Sequence, residues 1–127
     1  ISEVIDFKNS AVFKLSKCKP NAHSEVINPL LVDGESIISD YTAARDFVVF
    51  TNKRIIAVNV QGFSGKKKDF TSLPYSRIQA FSIETAGTFD LDSELEIYFS
   101  ALGKVKFEFS GTCDITEIGK MIAGLVL

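Results

Sequence analysis

Three groups of side chains could do chemistry: a single histidine, a short acidic segment and two basic turns. His23 is the only histidine, and no obvious cysteine or carboxylate constellation surrounds it in the sequence. A surface or helix-capping histidine is therefore expected rather than a general base. The sequence also contains no nucleophile elbow, phosphate-binding P-loop or dinucleotide-binding fingerprint. We expect no catalytic residue, no cofactor and no enzymatic activity.

The acidic segment, Asp90-Leu91-Asp92-Ser93-Glu94, carries carboxylates at alternate positions. In an extended loop these carboxylates could point to one side and suit a hard cation. The segment lacks the length and the glycine of an EF-hand calcium loop. A solvated loop, or one whose side chains accept hydrogen bonds from backbone amides, fits the pattern better. We therefore expect no metal site.

The two basic turns could together contact a phosphate group or an anionic bilayer. Each basic side chain near such a bilayer adds about 1 kcal/mol of binding free energy. The candidates are Lys53, Arg54, Lys66, Lys67 and Lys68. The formal net charge of −2 at pH 7 is unlike that of a general nucleic-acid binder, which needs a basic field. No nucleic-acid partner is expected.

The elements that position these groups are mostly strands. Apolar and polar residues alternate in short runs separated by turn residues, which is typical of β-structure. The predicted strands cover residues 36–44, 47–50, 54–60, 67–73, 78–84, 94–99 and 104–109. The turn at Thr51-Asn52-Lys53 predicts a hairpin, because asparagine tolerates positive φ. The strand after this turn is apolar on both faces, which predicts a central, covered strand.

The last hairpin has the clearest alternation in the chain. Its apolar positions predict one buried face, and its outward positions place Glu96 opposite or diagonal to Lys106. Such a cross-strand pair contributes about 0.2–1 kcal/mol. Its larger expected effect is on register, because a slip of one residue would turn the phenylalanine side outward.

Two helical segments are predicted near the N-terminus. The first covers residues 11–19, opened by Asn9 or Ser10 and ended before Pro20. The second is a short turn at residues 28–32, with Asn28 as its N-cap. Residues 1–32 are thus predicted to be a helical extension of the same folding unit as residues 33–127.

The chain is predicted to end in an amphipathic helix. Asp114 is a suitable N-cap, and isoleucine and leucine recur at helical spacing after it. Gly119 and Gly124 each lower helix propensity by about 1 kcal/mol relative to alanine, so we expect close backbone packing at both. This helix would plug one end of a strongly bent sheet or partly open barrel, because seven antiparallel strands would otherwise expose two long edges.

The expected location is the bacterial cytoplasm. No apolar run approaches the roughly 20 residues that span a bilayer, and no signal-peptide pattern is visible at the start. Cys18 and Cys113 are far apart in the sequence, which favours reduced thiols. A long-range disulfide between them is the alternative that the sequence allows.

Several motifs resemble the bacterial pleckstrin-homology-like (PH-like) domain family of short single-domain proteins. The match runs from about Asp33 to the C-terminus. The matching motifs are Asp33-Gly34-Glu35, Arg45-Asp46, Phe50 to Ile56, Val60-Gln61-Gly62, Gly65-Lys66-Lys67, Pro74 to Ile78 and Phe81 to Leu95. The resemblance implies a mainly β, PH-like barrel of seven strands with a C-terminal helix. It also implies homo-oligomers, often rings, and no established enzymatic activity.

Self-association is the function that these observations favour. Aromatic residues within polar segments are typical interface anchors, and residues 82–89 leave a strand edge that a neighbour could extend. The interface candidates are Tyr75, Glu84, Thr85, Phe89, Asp90, Asp92 and Tyr98. The sequence is also compatible with a different protein as the binding partner.

The alternative function is binding of an anionic phospholipid or phosphate ligand through the lysine loop at residues 66–68. Phosphoinositide-binding PH domains carry spaced basic residues along the first hairpin. This chain offers only Arg45 there, flanked by Asp40 and Asp46. Lipid binding is therefore the second choice.

Overall fold

A computed structural model describes residues 11–19 and 21–127. In these residues the chain forms one mixed sheet with two helices and two 3₁₀ turns. The strands are β1 (Ala11–Lys17), β2 (Ile37–Ala43), β3 (Asp46–Thr51), β4 (Arg54–Gln61), β5 (Lys67–Pro74), β6 (Ile78–Glu84), β7 (Ser93–Phe99) and β8 (Gly103–Phe109). The helices are α1 (Ser24–Ile27) and α2 (Ile115–Val126), and the 3₁₀ turns are Asn28–Leu30 and Tyr75–Arg77.

The eight strands lie in the order β5-β4-β3-β2-β1-β8-β7-β6. This arrangement confirms the predicted mainly β architecture with a C-terminal helix and corrects the strand count from seven to eight. The main hydrophobic core lies between one face of the sheet and α2, and it includes Phe50, Phe107 and Ile118. A second cluster on the other face of β3 and β4 includes Val49 and packs against Ile27 of α1. The predicted covering of β4 on both faces is therefore confirmed.

The additional strand is β1, and the predicted helix over residues 11–19 is wrong. Strand β1 pairs antiparallel with β2 and parallel with β8. Leu15 is fully buried, whereas its neighbours Lys14 and Ser16 are exposed, which is the period-two pattern of a strand. As a strand, β1 forms hydrogen bonds with backbone N–H and C=O groups of β2 and β8, which would stay unpaired if residues 11–17 were helical. Tertiary context therefore overrides the local helix preference. Asn9, Ser10 and Pro20, the predicted ends of the helix, lie outside the described residues.

The predicted helical turn at residues 28–32 is shorter than expected and starts differently. Helix α1 precedes it, and the backbone N–H of Asn28 donates to the carbonyl of Ser24 at the end of that helix. Asn28 is therefore the C-cap of α1 and not the N-cap of a new helix. The division of the chain at residue 33 stays a prediction.

The hairpin between β3 and β4 forms where the sequence predicted it, but Asn52 does not adopt positive φ. Its side-chain oxygen accepts a hydrogen bond from Ser36 N–H at 2.8 Å, and its amide donates to Gly34 O at 2.9 Å. The Thr51 hydroxyl accepts hydrogen bonds from the N–H groups of Lys53 and Arg54. The turn is thus closed by side chains rather than by left-handed backbone.

A buried ion pair holds this hairpin against the segment before β2. The carboxylate of Glu35 accepts hydrogen bonds from Arg54 Nε at 2.9 Å and from Arg54 Nη2 at 3.0 Å. It also accepts hydrogen bonds from the Thr51 hydroxyl at 2.6 Å and from Val32 N–H at 3.1 Å. Burial alone would raise the pKa of Glu35, but these hydrogen bonds and the Arg54 charge outweigh it and lower the pKa.

The β7–β8 hairpin has the predicted register, with Glu96 directly opposite Lys106. The ion pairs are diagonal: Lys106 Nζ lies 3.1 Å from Glu94 Oε2, and Lys104 Nζ lies 3.5 Å from Glu96 Oε2. The side chains therefore follow the diagonal of the ladder while the backbone register stays as expected.

Helix α2 begins as predicted, because the Asp114 side chain accepts hydrogen bonds from the N–H groups of Thr116 and Glu117. Gly119 is buried, and a Cβ at this position would lie 3.0 Å from Ile83 Cδ1, so close packing against β6 explains this glycine. Nothing lies within 4 Å of a Cβ added at Gly124, so the same prediction is wrong there. No helix in residues 11–19 and 21–127 is long and apolar enough to cross a membrane.

The Glu35–Arg54 pair predicts a specific dependence of stability on pH. Because folding lowers the Glu35 pKa, the pair contributes fully above the ordinary value of 4.5 and is lost as the pH falls through the folded-state pKa. Glu35→Gln should reduce the free energy of unfolding at pH 7 by about 1.5–3 kcal/mol, the range for hydrogen bonds to a charged group. The loss should shrink at acid pH. Urea denaturation across the pH range measures both effects.

Glu25 on α1 is exposed and provides the matched control. Glu25→Gln should leave both the stability at pH 7 and the pH profile near those of the wild type. If Glu35→Gln and Glu25→Gln gave the same profile, the Glu35–Arg54 pair would not be the source of the dependence.

Candidate interaction surfaces

Strand β6 forms an edge of the sheet, because its ladder partner in the described residues is β7 alone. Phe81 and Ile83 lie on the side facing the core, where Phe81 packs against the main cluster and Ile83 contacts α2. Ser82 and Glu84 lie on the other side and are exposed. Such an edge presents unpaired N–H and C=O groups to another chain.

A shallow recess of about 240 Å³ lies beside this edge, lined by Ser82, Ile83, Glu84, Glu94 and Glu96. Two of its glutamates are neutralised by Lys106 and Lys104 on β8. Glu84 has no ion-pair partner among the residues that the structure describes. The recess is therefore acidic on its β6 side, where the strand ends.

The β6–β7 loop follows this edge and presents an aromatic side chain to solvent. Phe89 is 99% exposed. The loop around it is held by hydrogen bonds, from Gly87 N–H to Asp90 O at 2.7 Å and from Asp92 N–H to Asp90 Oδ1 at 3.1 Å. Thr85, at the start of the loop, is also exposed. The Phe89 ring therefore gains almost no burial within its own chain and is accessible to a partner.

The acidic loop uses its carboxylates within the protein. Asp90 accepts a hydrogen bond from the backbone, and Asp92 Oδ2 lies 2.9 Å from Lys14 Nζ on β1. The hydrogen bond to Asp92 raises the pKa of Lys14. Glu94 points to Lys106 on the sheet. The three side chains therefore have separate partners and do not converge on a cation, in agreement with the predicted backbone-capping loop.

Tyr75 and Tyr98, both predicted as interface anchors, differ in their surroundings. Tyr75 is only 3% exposed, and its hydroxyl donates to Thr51 O at 2.7 Å. Burial, with Glu35 nearby, raises the pKa of Tyr75. Its ring completes the core of the domain, so it is not available to a partner. Tyr98 is 37% exposed, and its hydroxyl donates to Glu96.

The lysine loop between β4 and β5 has its own exposed aromatic residue, Phe63, which the sequence predictions did not include. Gly62 and Gly65 have φ values of +81° and +72°, so glycine is required for the tight turn around Phe63. Arg45 Nη1 donates to Gly62 O at 2.7 Å and anchors the loop. Lys66 and Lys67 are exposed, and Lys68 Nζ donates to Gly65 O at 3.1 Å.

The second basic turn, which carries Lys53 and Arg54, does not form an anion-binding site with the lysine loop. Besides pairing with Glu35, the Arg54 guanidinium donates to Leu30 O at 2.7 Å and to the Ser72 hydroxyl at 3.0 Å. Arg54 is therefore used in holding the fold, contrary to its prediction as a ligand contact. Lys53 is exposed at the tip of the hairpin.

A third group of residues was missed because its members are far apart in the sequence. Cys18, His23 and Asp40 come together, although no cysteine or carboxylate constellation was expected around His23. Asp40 is fully buried. The sequence signal for this group was Asp40, whose carboxylate lies in the middle of a predicted strand. A carboxylate that is buried there needs a hydrogen-bonding or ionic partner.

Comparison with known proteins agrees with this architecture. The family model for the bacterial PH domain matches residues 6–126. The uncharacterized protein YjqA of Bacillus subtilis (strain 168) is 43% identical over 108 residues, which cover 84% of this chain and 86% of YjqA.

The solved structures that are similar to this chain include two from Shewanella species. One is a DUF1696 family protein with a pleckstrin-homology domain from Shewanella loihica PV-4, with a TM-score of 0.79 and 35% identity; the match covers 91% of this chain and 99% of that chain. The other is a pleckstrin homology domain from Shewanella amazonensis SB2B, with a TM-score of 0.68 and 37% identity over 88% of this chain and 91% of that one. These matches confirm the resemblance inferred from the sequence motifs. The chain belongs to the bacterial PH domain family.

Proposed function

We propose that this bacterial PH domain is a non-enzymatic binding module of the cytoplasm that associates with further copies of itself. The single observation that carries the proposal is the exposed β6 edge with Phe89 projecting beside it. Main-chain pairing along such an edge supplies affinity, and an aromatic anchor next to it supplies specificity. In a cyclic assembly every chain has this surface covered by a neighbour, because closed symmetry leaves no interface unpaired.

The charges at the two ends of β6 support a second copy as the partner. Arg77 immediately precedes the strand and Glu84 ends it, and neither has an ion-pair partner among the described residues. If two β6 strands pair antiparallel, the start of one strand lies beside the end of the other, so Arg77 of one copy comes to the same end of the pair as Glu84 of the other. The two ends of the edge are therefore complementary in charge, which favours an antiparallel pair over a parallel one that would bring like charges together.

The same pairing would cover apolar surface. Ile83 is 37% exposed at the edge, and an added strand would bury part of this remaining surface. Phe89 lies in the loop that follows β6 and would reach the neighbouring copy from the end of the paired strands. Its exposed ring would add an apolar contact at the end of the pair, beside the charges of Glu84 and Arg77.

A charge exchange tests this arrangement. Glu84→Arg and Arg77→Glu should each weaken self-association, because each places like charges across the strand pair. The double variant should restore association, since it exchanges the two charges and keeps them complementary. Phe89→Ser should weaken association at least tenfold, or about 1.4 kcal/mol, without changing the charge. Size-exclusion chromatography with light scattering measures the mass of each variant against the 14.0 kDa of one chain.

Glu25→Arg is the control, because it makes the same charge change at an exposed residue of α1. It should keep the wild-type mass. A wild-type protein that stays at 14.0 kDa at micromolar concentration would overturn the proposal. Failure of the double variant to recover would reject the antiparallel pairing of two β6 strands.

A second candidate function is binding to an anionic membrane surface through the lysine loop. The observation that favours it is Phe63, which is fully exposed at the tip of the loop that carries Lys66 and Lys67. Aromatic rings partition into the bilayer interface, and adjacent lysines are attracted to anionic lipids. Arg54 does not contribute, because it is held by Glu35.

Sedimentation with phosphatidylserine vesicles tests this candidate. Changing all three loop lysines to glutamate should abolish binding, since each lysine near the surface contributes about 1 kcal/mol and each glutamate is repelled. Phe63→Ser should weaken binding at every salt concentration, because the ring contributes through burial rather than charge. Wild-type binding should decrease as salt is added.

The matched control changes three exposed lysines elsewhere, Lys17, Lys19 and Lys120, to glutamate. This variant has the same net charge as the loop variant and should keep most of the binding. Equal loss in both variants would indicate attraction by net charge alone. No sedimentation of the wild type at low salt would exclude the membrane function.

A further inference from the structure

Three potential metal-ligating side chains converge from separate parts of the chain. Cys18 directly follows β1, His23 precedes α1, and Asp40 lies in the middle of β2. One ligand atom from each lies within 4.8 Å of the other two. The β1–β2 register explains the approach of Cys18 to Asp40, because Cys18 N–H donates to Asp40 O at 3.1 Å and continues the ladder.

Two polar atoms of this group are left without a hydrogen bond by the part of the chain that the structure describes. Asp40 is fully buried, and its Oδ1 atom has no hydrogen-bond partner among those residues; the same holds for Nδ1 of His23. The Nδ1 atom lies 3.6 Å from Asp40 Oδ2, beyond good hydrogen-bond distance. A buried carboxylate oxygen without a partner is costly, and a cation beside it would remove that cost.

The three side chains are held in place by the surrounding fold. Asp40 Oδ2 accepts a hydrogen bond from the backbone N–H of His23 at 3.2 Å. The imidazole ring stacks on Phe47, with ring centroids 3.8 Å apart and planes inclined by 3°. These contacts fix the imidazole plane next to the carboxylate, and such pre-positioning reduces the entropy lost on binding a ligand.

We propose that Cys18, His23 and Asp40 bind a divalent transition-metal ion, with zinc as the best fit. A thiolate, an imidazole and a carboxylate together suit zinc better than calcium or magnesium, which prefer all-oxygen sites. Three protein ligands leave a fourth position of a tetrahedral ion for water or a backbone oxygen.

The distances are compatible with this ion after small side-chain movements. Zinc bonds of about 2.0–2.3 Å place the ligand atoms of a tetrahedral site roughly 3.3–3.8 Å apart. The ligand atoms, within 4.8 Å of one another, therefore need to close by about 1–1.5 Å at most. Binding releases the proton of the Cys18 thiol as the sulfur–metal bond forms.

A bound ion would join the end of β1, the start of α1 and β2. This position lies on the opposite side of the sheet from the main core, beside the cluster that contains Phe47 and Ile27. Its expected effect is to stabilise the N-terminal part of the fold. The inference does not depend on the proposed self-association.

Cobalt(II) titration of the tag-free, phosphine-reduced full chain tests the proposal. We expect one cobalt ion per chain, with a near-ultraviolet sulfur-to-cobalt absorption band and the visible bands of a tetrahedral ion. Zinc should displace the cobalt and raise the melting temperature, because it binds the folded state. Absence of the sulfur-to-cobalt band, or of any melting shift with zinc, would overturn the site.

Variants of the ligands separate this site from adventitious binding. Cys18→Ser should abolish the sulfur-to-cobalt band, whereas Cys113→Ser, at the other free cysteine, should keep it. His23→Gln should weaken the affinity by more than the roughly 10- to 100-fold that loss of an outer-shell partner costs. His23 is partly exposed, so this variant should fold, as circular dichroism would verify. A band that survives Cys18→Ser, or an unchanged affinity in His23→Gln, would reject the assignment.

Discussion

The pairing of β1 with both β2 and β8 is the constraint on which the rest of the structure depends. Without β1, the strands β2–β5 and β6–β8 would form two separate sheets, each with an exposed inner edge. Leu15 of β1 is fully buried in the main core, and its carbonyl accepts a hydrogen bond from Ser110 N–H at 2.8 Å just after β8. This one short strand thus joins the two halves into a single sheet, whose main core is continuous across both.

Both of the surfaces beyond the core depend on this strand. Lys14 pairs with Asp92 and holds the end of the loop that presents Phe89. Cys18 follows the last residue of β1 and is brought to Asp40 by the same ladder. This one strand therefore helps to position both the loop that presents Phe89 and the ligands proposed for zinc.

Residue type alone was a poor guide to which polar and aromatic side chains face a partner. Arg54 looked like an anion contact, yet the Glu35 carboxylate binds it and only a small part of it is left for solvent. Tyr75 looked like an interface anchor, yet its ring is buried in the core and its hydroxyl donates a hydrogen bond to Thr51 O. Phe63 and Phe89, in contrast, have little protein around them. Such differences follow from burial, which depends on the packing of distant segments.

Local sequence pattern was sufficient to predict the strands with strict alternation, the register of the β7–β8 hairpin and the capping of α2 by Asp114, because these features depend on neighbours a few residues apart. The family could be inferred from motifs that occur in order along the chain. The fold was needed to see that residues 11–17 form a strand and that Cys18 and His23 approach Asp40. Strand β1 gains its hydrogen bonds from strands far along the chain, and a short apolar run gives no information about which strands those are.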